Sequence, residues 1–152
     1  MKTSFKIFLE IKTSKLEQLK NELRGIESSS DFKRWMRELS GGSDQTITRE
    51  KLISGFCEDL AVYLHYKYGA EIFKTDDKEL KDGHYFVKFG SKFYDAMDPE
   101  GYSKPSQSVW SERLMKQDRT ISPDMIDKHL KPYDWNDTWT VYKTSKKVID
   151  PA

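Results

Sequence analysis

Residues 84–97 read HYFVKFGSKFYDAM, two runs rich in aromatic side chains that meet at Gly90-Ser91. Gly in the first position of a two-residue loop suits a type II′ turn, so the stretch predicts an antiparallel hairpin, 84–89 against 92–97. Phe89 then pairs with Lys92, and every further pair keeps the same sum of residue numbers. Phe86 falls opposite Asp95, and His84 opposite Met97. His84 and Phe86 share a face, which makes His84 and Asp95 diagonal neighbours, about 7–8 Å apart at the backbone. An imidazole and a carboxylate can meet across that gap. The register needs an even-length loop, because an odd loop or a bulge would send the two side chains to opposite faces.

Upstream of the hairpin, residues 48–68 form the longest helical stretch, interrupted at Ser54-Gly55. Leu60, Ala61, Leu64 and Tyr68 make its apolar face, and Gly69 is a stop signal. Residues 71–74 read as a short strand. Nearer the N-terminus, a helix over 30–39 carries Phe32, Trp35, Met36 and Leu39 on one side, before Gly41-Gly42. Another spans 14–24, with Leu16, Leu19 and Leu23 at helical spacing after a Ser14 cap. Before it, Phe5, Ile7, Leu9 and Ile11 alternate, which predicts a strand over 4–11. Downstream, 99–105 reads as loop, 106–116 as helix, and Ser122-Pro123 as the opening of a helix ending near Leu130. A last strand is predicted over 138–142. The expected architecture is α+β: N-terminal helices packed on a small antiparallel sheet.

The chain has 152 residues, so one domain over 1–152 is the expectation. The apolar share is low at 36% and the charged share high at 34%, so the core has to lean on its eight Phe, eight Tyr and four Trp. Net charge is +1 with no long basic run, which argues against a nucleic-acid surface. The lone cysteine excludes an internal disulfide and fits a reducing, cytoplasmic setting. No stretch approaches the roughly 18 apolar residues of a membrane span, and no signal-peptide pattern opens the chain.

Cys57 is the residue with most chemical promise. If Gly55 breaks the preceding turn, Cys57 opens a helix whose positive end favours a thiolate and whose free backbone N–H groups can face an oxyanion. A nucleophilic cysteine also needs a base, and the hairpin supplies His84, with Asp95 placed to orient it.

The segments Gly55-Phe56-Cys57-Glu58-Asp59-Leu60-Ala61, His84-Tyr85-Phe86-Val87 and Phe93-Tyr94-Asp95-Ala96 together resemble the papain-like cysteine peptidase superfamily, including NlpC/P60 and transglutaminase-like domains. The resemblance covers residues 54–98. It implies a papain-like fold, with Cys57 as nucleophile, His84 as general base and Asp95 as orienting acid. Glu58, not an aromatic residue, follows the cysteine, so the CG[SA]C[WY] signature is absent. No residue stands out as side-chain oxyanion donor; Gln45 is the candidate. The implied activity is that of a small thiol enzyme acting on an amide, isopeptide or thioester bond of an intracellular protein or peptide, without a cofactor. A phage origin fits so short an enzyme.

Each residue also has a structural reading. Cys57 falls at i, with Ala61, Leu64 and Tyr68 at i+4, i+7 and i+11, so it fits a buried helix face equally well. His84 could be a strand-end surface histidine. Asp95 is harder to place idly, since Asp is disfavoured in strands. A Cys57–His65–His84 metal site lacks paired ligand spacing. The competing function is a non-catalytic binding module or inhibitor, with Cys57 inert in the core and an aromatic surface around Tyr133, Trp135, Trp139 and Tyr142.

Overall fold

A computed structural model describes residues 4–38 and 46–133, residues 4–13 by their backbone alone. Among the described residues, six α-helices accompany a five-stranded antiparallel sheet. The helices are α1 (Ser4–Arg24), α2 (Ser30–Glu38), α3 (Arg49–Ser54), α4 (Cys57–Tyr68), α5 (Val109–Gln117) and α6 (Pro123–Lys128). The strands are β1 (Glu71–Asp76), β2 (Gly83–Phe89), β3 (Lys92–Asp95), β4 (Asp98–Tyr102) and β5 (Leu130–Pro132), in sheet order β4-β3-β2-β1-β5. The α+β expectation holds, and no described helix is long and apolar enough to cross a membrane.

The hairpin has the predicted register over its three paired positions, but β3 ends at Asp95 where a strand to Met97 is expected, because Ala96-Met97 turn the chain into β4. Phe89 pairs with Lys92, Lys88 with Phe93 and Val87 with Tyr94. Gly90 sits at φ +64°, the left-handed value that the first loop position of a type II′ turn demands. Alternation then sorts the side chains. Val87 and Tyr94 join the main core against α4, while Phe86 and Phe93 pack with Tyr102 in a second cluster. The main core is completed by Leu19 and Leu23 of α1, Phe32 and Trp35 of α2, and Leu60, Tyr63 and Leu64 of α4. A third cluster joins Leu80 to Trp110 and Leu114 of α5 and Ile126 of α6.

The break before α4 is local. Thr48 caps α3 by accepting from the Lys51 amide, and the Lys51 carbonyl then takes both the Gly55 and Phe56 amides, each at 3.0 Å. That pair of hydrogen bonds closes the turn, so α4 starts afresh with Cys57 as its first residue. Arg49 fastens α3 to the rest. Its guanidinium donates to the Leu23 and Arg24 carbonyls at the end of α1 and to Ala96 beyond β3.

Three further expectations are corrected. The predicted strand over 4–11 is part of α1. Phe5, Phe8 and Leu9 also lie at i, i+3 and i+4, and no Gly or Pro separates them from Leu16, Leu19 and Leu23, so the helical period runs on. Ser14 is thus inside the helix. The segment read as loop over 99–105 contributes β4, which lies at the edge of the sheet, where Pro99 leaves no ladder bond unmade. Gly101 there has φ +88°, and a Cβ on it would stand 2.8 Å from the Tyr94 ring. The region near Leu130 ends in strand: α6 stops at Lys128 and β5 follows. The strand predicted over 138–142 falls outside the described residues, as do Leu39 and Gly41-Gly42.

Candidate active site

The site is assembled from one helix end and two neighbouring strands. Cys57 opens α4, His84 lies at the start of β2, and Asp95 closes β3. His84 is 1% exposed and Asp95 3%. Burial at that level demands partners, and Asp95 has them. It accepts from His84 Nε2 at 3.1 Å, from the Tyr102 hydroxyl at 3.0 Å and from the Met97 amide at 3.0 Å. The even loop at Gly90-Ser91 has delivered both side chains to one face.

The other imidazole nitrogen is different. His84 Nδ1 is buried and has no hydrogen-bond partner of regular geometry. The half-buried Cys57 thiol is nonetheless close enough to act on the ring electrostatically. Burial pushes the His84 pKa down. The Asp95 hydrogen bond and the Cys57 side chain outweigh it, and together they raise the imidazole to about 9. At neutral pH His84 is therefore an imidazolium, tied to a carboxylate by Nε2 and presenting Nδ1–H without a fixed acceptor. A thiolate is the natural complement of that proton.

Two features of α4 act in opposite senses on such a thiolate. The helix begins at Cys57, and its first-turn amides and dipole favour negative charge there. Glu58 and Asp59 follow at once and add negative charge of their own. The Tyr133 hydroxyl donates to Glu58 at 2.5 Å. Burial, and then Glu58, push the Asp59 carboxyl up to about 6.

Several participants were not legible in the sequence. Trp110 of α5 stacks on His84, with ring centroids 5.1 Å apart and planes at 15°, and Phe86 flanks the ring at 5.9 Å. Nothing in the local sequence of α5 marks Trp110 as the roof of a histidine; only the tertiary packing does. Tyr102 comes from β4, the strand that was read as loop. Asp98 stands opposite Asp95 across the β3–β4 connection. Burial, followed by the Asp95 charge, pushes its carboxyl up to about 7.

Of the remaining sequence candidates, His65 does not enter the site. His65 lies near the other end of α4, where Nδ1 meets the Ala70 carbonyl at 2.6 Å, so the Cys57–His65–His84 grouping does not form. Gln45, Trp135, Trp139 and Tyr142 lie outside the described residues. Tyr133 is described, and its ring packs on Tyr85 at 4.8 Å.

A cleft of about 250 Å³ shares Trp110 with the site. It runs between α3, through Glu50, Ile53 and Ser54, and α5, through Trp110, Arg113, Leu114 and Gln117, with Asp82 closing one end. Ser54 is three residues before Cys57, Asp82 two before His84, and Trp110 covers His84. Its walls are near neighbours of the site in sequence or in space. Comparison with models of protein families, with curated proteins and with solved structures found no match.

Proposed function

We propose that the protein is a small thiol enzyme of papain-like type, acting on an amide, isopeptide or thioester bond of an intracellular protein or peptide. The observation that carries this reading is His84. It is buried and bound to Asp95 through one nitrogen, while its other nitrogen is left unpartnered within electrostatic reach of a helix-opening cysteine. A purely structural histidine at 1% exposure would be expected to satisfy both nitrogens. An open valence beside a nucleophile is what general acid–base chemistry requires.

In the proposed reaction the Cys57 thiolate attacks the substrate carbonyl carbon, and the first-turn amides of α4 face the resulting oxyanion. As the tetrahedral species collapses, the bond to the leaving amine or thiol breaks and His84 Nδ1–H supplies its proton. The acyl group is left on sulfur as a thioester. Water then attacks it, giving its proton to His84 and regenerating the thiolate; an amine in place of water gives acyl transfer. Asp95 holds the ring by Nε2 throughout and stabilises its cationic form. The cleft between α3 and α5 offers a place for the substrate beside this pair.

A second reading has its own support. The space lined by Cys57, Leu52, Leu60, Tyr85 and Asp95 has no room for a water molecule, as around a core cysteine in a non-catalytic binding module. Iodoacetamide separates the two. The enzyme reading expects native protein to be alkylated at Cys57 at pH 6–7, and His84→Ala to slow that alkylation at least tenfold. Alkylation only after denaturation would overturn the enzyme reading and leave the binding module.

A further inference from the structure

We infer that Asp98 is a positioning residue: its carboxyl group shares one proton with Asp95 and so helps hold the acid that orients His84. The inference concerns the same site as the proposed enzyme function and rests on that reading for its catalytic meaning. The carboxyl pair itself can be tested separately.

The geometry starts from the sheet. Asp95 and Asp98 are directly paired residues of β3 and β4, on either side of Ala96-Met97, so their side chains leave one face of the sheet as neighbours, close enough for the carboxyls to hydrogen-bond. Two carboxylates cannot make that bond without a proton between them, and like charges so close do not both ionise. The environment decides which one keeps the charge. Asp95 accepts from His84, the Tyr102 hydroxyl and the Met97 amide. Among the described residues, Asp98 accepts only from the Val109 amide, at 3.2 Å. The proton therefore belongs to Asp98, which donates it to Asp95.

The groups that face Asp98 agree with this assignment. From β3 comes the Asp95 charge, from its own strand the neutral Tyr102 phenol, and from α5 the Val109 amide and the Glu112 carboxylate. None of them is a cation that would hold Asp98 ionised. Asp98 also joins two parts of the site. One oxygen anchors the first residue of α5, and the next residue, Trp110, is the ring stacked on His84. Loss of the shared proton would place a second negative charge against Asp95 and remove one of its donors. The orientation of His84 should register that change.

The test is the imidazole NMR spectrum of the full chain as a function of pH. The chain has three histidines, and His84→Gln identifies the His84 signals. Wild type should show two inflections at His84, its own near pH 9 and a second near pH 7 from Asp98. Asp98→Asn keeps a donor to Asp95 but cannot titrate, so it should lose the lower inflection and keep the upper. A flat His84 signal between pH 5.5 and 8 in wild type would overturn the inference. So would a lower inflection that persists unchanged in Asp98→Asn. Cys57 alkylation is not consulted, so an unreactive cysteine would sink the enzyme reading without touching this result. Conversely, a reactive Cys57 with no lower inflection would leave the enzyme and remove Asp98 from it.

Discussion

Two carboxylates, half-buried Glu22 and buried Asp95, organise this molecule, and they end differently. Glu22 of α1 accepts from Ser29 at 2.7 Å, from Lys67 at 2.9 Å, and from the Tyr63 and Tyr68 hydroxyls. Lys67 goes on to Asp31 at 3.0 Å, so α1, α2 and α4 are laced together. Burial raises the Glu22 pKa, but the four donors outweigh it and the net shift is downward. Asp95 is equally well supplied, yet its chain of contacts runs through His84 to a nitrogen with no regular partner. The first network closes on itself. The second stops at an unsatisfied atom beside a thiol. A stabilised carboxylate is therefore no sign of function by itself; the open valence at the end of the chain is.

The largest effect should come from breaking the closed network. Glu22→Ala takes the shared acceptor from Ser29, Lys67 and two tyrosine hydroxyls, leaving Lys67 to Asp31 alone, which should cost about 2–4 kcal/mol. Urea unfolding measures it, and Cys57 alkylation of the folded fraction should stay within about twofold of wild type. A large fall in alkylation for the folded fraction would show that the two networks are coupled. Asp95→Asn inverts the pattern. It should lower any turnover by about 10²–10⁴-fold, because the imidazolium loses its counter-charge. The proton-donating step provides the readout.

The two networks also fail on opposite sides of neutrality. Glu22 has a folded pKa below its ordinary value, so its contribution is present above about 4.5 and is lost as pH falls through the folded value. His84 is raised from 6.5 to about 9, so its contribution is complete below 6.5 and is lost as pH rises through 9. Thermal unfolding against pH should therefore lose its acid shoulder in Glu22→Gln and its alkaline shoulder in His84→Gln. Turnover should decline above about pH 9, where Nδ1 no longer carries a proton for the leaving group.

The legible parts of the sequence are those governed by short-range rules. A Gly-first loop and an even register are enough to bring His84 and Asp95 to one face, and the Gly55 break is enough to start α4 at Cys57. What stayed hidden depends on partners far along the chain. Residues 4–11 satisfy both the period of a strand and that of a helix, and the continuation through Leu16 decides between them. β4 contains Pro99 and Gly101, both poor strand residues, and is tolerated because it pairs on one side alone. Trp110 and Asp98 gain their places at the site through α5 and β4, two elements that local pattern does not bring toward His84.

A smaller effect should separate Asp98 from both networks. Its folded pKa is raised from 3.8 to about 7, so its contribution is present below 3.8 and is lost as pH rises through 7. Asp98→Asn removes that loss. The variant should gain about 1–2 kcal/mol on wild type between pH 4 and 7, a figure reduced for the partial exposure of Asp98. Urea midpoints at the two pH values give the difference directly, and equal changes in the two proteins would contradict the shared proton.

The smallest effect concerns the cleft. Arg113 and Glu50 there satisfy each other, Nη1 to Oε2 at 2.5 Å and Nη2 to Oε1 at 3.0 Å. Exposed Asp82 accepts only from the Gly83 amide at 2.8 Å and has no cationic partner among the described residues. The cleft thus carries one net negative charge, beside an apolar floor of Ile53, Trp110 and Leu114. Asp82→Asn should change stability by no more than about 0.5 kcal/mol, since an exposed side chain with one local contact is being altered. Its effect should appear in alkylation by charged reagents: a cationic haloacetamide should lose part of its advantage over a neutral one, and more so at low salt. If the ratio of the two rates is unchanged in the variant, the cleft does not lead to Cys57. In that case the open end of the Asp95–His84 chain is reached from another side of α4.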